Sequence, residues 1–318
     1  MAKTKVFRPK ISSKNIRDKI KFYYTEKFFN KWMSKYDFIG LNYQQKHYIM
    51  KKFWSADGSV ACSQIKSANP VLAGLIDSGV IDMKENDIIF TPWAFARRYN
   101  IYDFPTHARL INTRGVKFIT NEELQLDKDV VIIYAQKNHK GVFSSIEAKI
   151  NELVDIEMKK RTALKAQSQP WMFAFSPEDF EQAKVMCDQL EEDNPYMFVP
   201  LQEVDKAKSL TSGAQYIVDK LQNQCDHVEN QILTMMGVNN IGVGEKKEHL
   251  VVDEINANNE DIEQQSISFK SEIEDGFDRV LACFGKKVEV VDMNEMFKEA
   301  QDEVDEKEDD EDDSNDEK

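Results

Sequence analysis

Apolar positions recur at helical spacing in four stretches of the chain. From Ser12 or Ser13, either of which can cap a helix, Ile16, Ile20, Tyr23 or Tyr24, Phe28, Trp32 and Met33 share one face, with Tyr36 beyond. The other face of that helix is rich in lysine. A second helix is expected from Ser144 to about Ala166 through Ile146, Ile150, Leu153 and Val154. It ends in a basic run where Lys159, Lys160, Arg161 and Lys165 either complement the helix dipole or meet an anion. The third, over 213–236, is the most regular. Val218, Leu221, Cys225, Val228, Ile232 and Met235 are separated by 3, 4, 3, 4 and 3 residues, one narrow seam on an otherwise polar surface. A coiled-coil dimer, a bundle, or a ring of helices around an aqueous space would each satisfy it. The fourth joins Ile273, Phe277, Val280, Leu281 and Phe284 over Ser271–Phe284, with Gly285 as the stop. The polar stretch ahead of it, VVDEINANNEDIEQQSISF, has no decisive period.

Strands are fewer and shorter. Ile88–Phe90 and Val130–Ala135 are the clearest, Val116–Ile119 is plausible, and KKVEVVDM reads as a short strand. WMFAF, a helix capped by Ser176 with Pro177 in its first turn, and YMFV read as a strand–helix–strand piece. It is too small to bury its own sheet, and no adjacent segment is an obvious partner; neighbouring subunits could supply one. Trp54, Trp93, Phe95, Tyr99, Tyr102 and Phe104 are assigned to the core. The fold class is therefore mainly α with small β elements, an α+β chain.

Charge divides the chain further. Residues 1–36 hold 11 Lys/Arg against 2 Asp/Glu, and residues 302–318 hold 12 acidic against 2 basic residues, within a total net charge of −14. The acidic tail has the composition of a disordered segment. The basic arm can meet an anion, or it can simply be a solvated face. No apolar run approaches the roughly 18 residues that a membrane helix needs, and the basic start lacks a signal-peptide core; a soluble, intracellular product is expected. Cys62, Cys187, Cys225 and Cys283 have no metal-ligand spacing and read as buried free thiols.

The glycine-rich stretch MMGVNNIGVGEKKEHLVVDE invites a phosphate-loop reading. Gly237 and Gly242 have the Walker spacing, but Val243 stands where lysine is required, and no Ser or Thr follows it to hold magnesium. Asp253/Glu254 and Glu260/Asp261 are adjacent acids whose side chains diverge, so they look like solvated surface. No catalytic residues, no metal site and no cofactor are assigned, and the chain is not expected to be an enzyme. Lys246 and Lys247 remain, two cations in an acidic body; only repetition around a symmetric ring would make them a strong phosphate-binding surface.

YIVDKLQNQ, MMGVNNIGVGEKKEHLVVDEINANNEDIEQ and SFKSEIEDGFDRVLACFGKKVEV together resemble the upper collar, or portal, protein of small short-tailed phages of the Bacillus picovirus type. The likeness is continuous over 213–290, weaker over 169–212 and slight over 37–168. It implies a portal fold with wing, stem helices, clip and crown, assembled as a dodecameric ring at one capsid vertex. Double-stranded DNA would be packaged and ejected through the ring. Its implied partners are other copies of the chain, viral DNA, the major capsid protein, a lower collar or tail protein and a packaging ATPase, with a packaging RNA left open. The protein would reside in the virion, after assembly in the host cytoplasm, and touch no membrane.

By the same resemblance, 1–36 is a basic arm and first helix, 37–143 the wing, 144–168 the first stem helix and 169–212 the clip. Residues 213–236 would be the second stem helix, 237–252 a tunnel loop, 253–301 wing and crown, and 302–318 the acidic tail. Lys246 and Lys247 match the basic pair of the tunnel loop, and Lys220 matches one of two stem lysine rings. Thr211 stands at the other, with Lys206 and Lys208 nearby. Lys3, Lys5, Arg8 and Lys10 would contact DNA, RNA or the ATPase. The competing expectation is a nucleic-acid-binding scaffold with a basic arm and an autoinhibitory acidic tail.

Overall fold

The computed structural model describes residues 13–64, 87–111, 123–168, 171–174, 208–211, 216–239 and 252–296. The acidic tail, the 175–200 part of the strand–helix–strand piece, Val116–Ile119 and Cys187 lie outside these residues. The chain divides into two compact units, one of Met1–Ile20 and Asn151–Val228, the other of Lys21–Ile150 and Glu229–Lys318.

Helix α1 (Ser13–Met33), which belongs to the larger unit from Lys21 on, buries Tyr24, Phe28 and Trp32 from its expected stripe there, while Tyr23 stays exposed. Strand β1 (Tyr36–Ile39) follows and pairs antiparallel with β10 (Glu289–Asp292). Helix α2 (Tyr43–Trp54) opens on a capping box: Asn42 Oδ1 accepts from Gln45 N at 2.9 Å, and Gln45 Oε1 accepts from Asn42 N at 3.1 Å. Gln45 Nε2 also donates to Ile88 O at 3.0 Å, fastening the start of α2 to a strand. Asn42→Ala should cost about 1 kcal/mol in a urea melt.

Two three-stranded sheets come next. One has the order β3 (Ile88–Thr91), β2 (Ser59–Gln64), β7 (Val130–Tyr134); the other runs β4 (Trp93–Phe95), β5 (His107–Leu110), β6 (Leu124–Gln125). All neighbours in both sheets are antiparallel. Ala61, Ile132, Val130, Ala108, Leu110 and Leu124 from both sheets form one small core. Helix α5 (Val252–Phe284) lies across β7, where Gly276 permits close approach: a Cβ there would sit 2.6 Å from Ile133 Cγ2. Two loop backbones also touch. Gly58 takes φ +54°, and a Cβ on Gly141 would fall 1.5 Å from Ser55 O.

The smaller unit holds most of helix α3 (Val142–Ser168), the start of helix α4 (Val218–Met235), and a two-stranded ribbon of β8 (Trp171–Ala174) and β9 (Lys208–Thr211). Lys160 Nζ donates to Gln222 Oε1 at 2.9 Å and pairs with Glu157, so this member of the basic run is structural.

Several expectations need correction. Helix α5 is one 33-residue element, and its polar first half is helical too. Ile262, Ser266 and Phe269 continue the stripe of Ile273 and Phe277, with a buried serine at a core position concealing the period. The partner of WMFA is a strand of the same chain, KSLT, which carries one apolar residue and gives no strand signal. The α4 seam ends on Met236, fully buried, whereas Met235 is part-exposed. A straight helix drifts off a 3.5-residue repeat in that direction. Cys62 and Cys225 are buried free thiols, but Cys283 is only partly covered, its Sγ 3.1 Å from Asp127 O. Most of the aromatics assigned to the core are not there. Trp54 is buried and Trp93 half-buried, but Phe95, Tyr99, Tyr102 and Phe104 are exposed.

Candidate functional site

The glycine-rich connection between α4 and α5 begins at a well-defined anchor. Helix α4 closes with a Schellman turn: Val238 N donates to Leu233 O and Gly237 N to Thr234 O, both at 2.9 Å, with Gly237 at φ +61°. The turn leaves the Met236 carbonyl pointing out of the helix end, and Lys35 Nζ donates to it at 2.7 Å. Asn294 Nδ2 donates to the next carbonyl, Gly237 O, at 3.1 Å. Met293 N donates to Lys35 O at 2.9 Å, so the β10 side of the unit holds both the lysine and the turn.

Lys35 is 2% exposed. Its ammonium lies 4.9 Å from the ring centres of Tyr36 and Phe269 and 5.9 Å from Trp32. Burial drives its pKa down to about 7, against the opposing pull of Asp292 and Glu295. Asp292, also buried, accepts a very short hydrogen bond from Ser266 Oγ and a backbone bond from Asn294 N at 2.9 Å. Burial, reinforced by Asp292, holds the Tyr36 phenol well above its ordinary pKa, and its hydroxyl donates to Ser266 O at 3.2 Å. Gly237 is required twice over: beyond its positive φ, a Cβ would come 2.5 Å from Lys35 Nζ and 2.8 Å from Ser266 N. Chemically this is a clamp that fixes the point where the chain leaves α4.

The lysines singled out in the sequence fall mostly outside the described residues. Lys246, Lys247, Lys206, Lys3, Lys5, Arg8 and Lys10 lie outside the described residues. Lys208 opens β9 opposite Ala174. Lys220 is exposed in the first turn of α4, next to Asp219, which accepts from Tyr216 Oη at 2.7 Å. Thr211, the position without a lysine, ends β9 opposite Trp171. Among the described residues no cluster of His, Cys, Asp and Glu could hold a metal ion, and no helix is long and apolar enough to cross a membrane.

A family model described as Phage Connector (GP10) matches residues 9–297, nearly the whole chain. The chain belongs to the phage connector family. As a connector protein it is a structural component of the virion, of the portal or head–tail connector class. Among solved structures, the portal and tail of native bacteriophage P68 is similar at 13% identity and TM-score 0.44, covering 96% of this chain and 99% of that one.

Sequence reasoning missed the anchor of the connector's glycine-rich segment. Lys35 counts in the sequence as one more cation of the basic arm, and its partners Met236 and Asp292 are some two hundred residues away or more. The only local hint is its place directly after the aromatic stripe of α1, where an ordinary solvated lysine would emerge from the core.

Proposed function

We propose that this connector protein forms the ring-shaped channel at one capsid vertex through which double-stranded DNA is packaged and ejected, in a phage of the small, short-tailed picovirus type. The observation that carries the reading is the connector family match over 9–297. Twelve copies would make the ring, with α3 and α4 as stem helices, the β8–β9 segment in the clip, and the parts around them as wing and crown. The capsid protein would hold the wing, the lower collar or tail protein and the packaging ATPase would dock in turn on the narrow end, and assembly would take place in the host cytoplasm.

The electrostatic logic depends on copy number. A pair of lysines neutralises too few phosphates to bind DNA usefully, but the same pair repeated around an axis makes a positive girdle. An acidic body, with a chain net charge of −14, keeps DNA from adhering elsewhere. Lys246 and Lys247 would form that girdle and Lys220 a second one lower in the stem, with Lys206 and Lys208 near the position held by Thr211. Lys3, Lys5, Arg8 and Lys10 would face the ATPase, DNA or a packaging RNA. The clamp at Lys35 supports this reading, since a loop that works on passing DNA needs a rigid root.

Negative-stain electron microscopy of the purified protein should show rings with a central hole. A monomer or dimer at every concentration and salt condition would sink the proposal. Lys246→Ala with Lys247→Ala should leave the rings intact and reduce DNA retention in packaging assays. Loss of ring assembly in that variant would mean the two lysines are structural.

A further inference from the structure

The exposed aromatics form an ordered surface. Between β4 and β5 the chain makes a loop whose backbone is tied at every level: Thr106 N donates to Arg98 O at 2.8 Å and Asn100 N to Phe104 O at 2.9 Å. Asn100 Oδ1 accepts from the amides of Tyr102 and Phe104 at 2.9 and 3.0 Å, and Asp103 is held at φ +60°. This frame pushes Ile101 (88% exposed) and Tyr102 (74%) into water. Side chains that large, held apolar and outward by a built loop, mark an interaction surface.

Beside the loop lies a cleft of about 670 Å³, walled by Trp93, Phe95, Tyr99, Phe104, Pro105 and Tyr134. Its rings are fixed relative to each other: Trp93 and Phe95 meet edge to face at 4.5 Å, and His139 stacks flat on Tyr134 at 3.8 Å. The Trp93 indole is tied to Ser59 Oγ at 3.0 Å. Two carboxylates, Asp57 and Asp103, reach the same cleft, both exposed and without an ion pair among the described residues. Lys52 also lines it, with its ammonium 5.9 Å from the Tyr48 ring. Rigid aromatic walls with prolines and acids at the rim suit an extended, basic, proline-containing segment, because such a segment loses little entropy on docking.

The sequence of this chain contains a basic, proline-containing segment. Residues 1–12, MAKTKVFRPKIS, combine Val6, Phe7 and Pro9 with Lys3, Lys5, Arg8 and Lys10 and contain no acid. We propose that this cleft is a docking groove for the N-terminal arm of a second copy, with Phe7 and Pro9 on the aromatic walls and two of its four cations at Asp57 and Asp103, leaving the other two for the contacts proposed above. Twelve residues can reach about 40 Å when extended, so the arm can tie one subunit to the next. The inference needs two copies to meet but does not depend on DNA passing through a ring.

The test mixes unlabelled and nitrogen-15-labelled full chains, freed of nucleic acid, and treats them with a carbodiimide that joins amines to touching carboxylates. The expected products link an amine of residues 1–12 to Asp57 or Asp103 and carry one labelled and one unlabelled peptide. They should be lost in Phe95→Ser with Tyr99→Ser, both already exposed and so compatible with folding. They should be competed away by the synthetic 1–12 peptide but not by the same peptide with Phe7→Ala and Pro9→Ala. Products of matched label only, no product at these acids, or equal competition by both peptides would overturn the proposal. Rings that lack these products would defeat it while leaving the portal reading intact; mixed-label products without rings would do the reverse.

Discussion

Gly141→Ala is expected to leave little folded protein. The new methyl would lie 1.5 Å from Ser55 O and 2.6 Å from Ser55 C, both backbone atoms that no rotamer change can move aside. Relief would require parting the two loops, and so breaking the bond from Gly141 N to Ala56 O at 3.0 Å and straining that from Gly58 N to Ser55 O at 2.9 Å. Ala135 N donates to Gly58 O at 2.8 Å, so the displacement would run into the end of β7. A loss on the order of 4 kcal/mol or more follows, in the range reserved for named disruptions of the core. Gly285→Ala provides the comparison. That residue also has a positive φ, +67°, but nothing lies within 4 Å of its Cβ position, so only backbone strain of about 1–2 kcal/mol is at stake. Urea melts of the two variants should separate collision from strain. Similar midpoints would show that the Ser55–Gly141 contact is not tight in solution.

The second large effect is a pH dependence set by Lys35. Its folded pKa is about 7 against an ordinary 10.5, so between those values the native chain has released a proton that the unfolded chain still holds. Stability must rise with pH across that window, by at most about 1.4 kcal/mol per pH unit from this group. Below pH 7 both states hold the proton, the slope from Lys35 vanishes, and the native state bears the full cost of a buried charge. Tyr36 acts with the opposite sign at higher pH: its raised pKa keeps the native phenol protonated while the unfolded one ionises above about 10. Unfolding free energies at pH 7 and pH 9 should therefore differ by a few kcal/mol more in the wild type than in Lys35→Met. The variant should also be weaker at pH 9, since Met236 O loses its donor, at about 1–3 kcal/mol. Equal slopes in the two proteins would mean that Lys35 titrates as if in water.

Which of these features could be read from the letters follows from the range of the interactions involved. The stripes of α1, α3 and α4 are local patterns, and VVIIY announces β7 by itself. The first half of α5 could not be recognised because Ser266 occupies a buried position, and a serine is tolerated there only by virtue of Asp292, 26 residues away. Strand β9 has a polar sequence and exists through its partner β8. The exposure of Phe95, Tyr99, Tyr102 and Phe104 was illegible for a different reason. Composition says that aromatics belong inside, and only the hydrogen bonds of Asn100 show that this loop is built to hold them outside. Lys246 and Lys247 stand out in the letters as two cations after a glycine-rich stretch in an acidic chain, and only the resemblance suggests a place for them. Lys35 was hidden in the opposite way, by sitting among many cations of the basic arm.

The pairing of β1 with β10 joins Tyr36 to Asp292 and Ile39 to Glu289, near the two ends of the described chain. During synthesis the first of these strands leaves the ribosome more than two hundred residues before its mate. Until then Phe38, fully buried in the finished protein, has no strand beside it, and Lys35 has neither Met236 nor Asp292. The larger unit can close only once the chain through Glu289–Asp292 has been made. A prematurely terminated chain that stops before Glu289 would lack the closing strand and the acids of the clamp together. The topology thus makes closure of the larger unit a check on chain length out to Asp292.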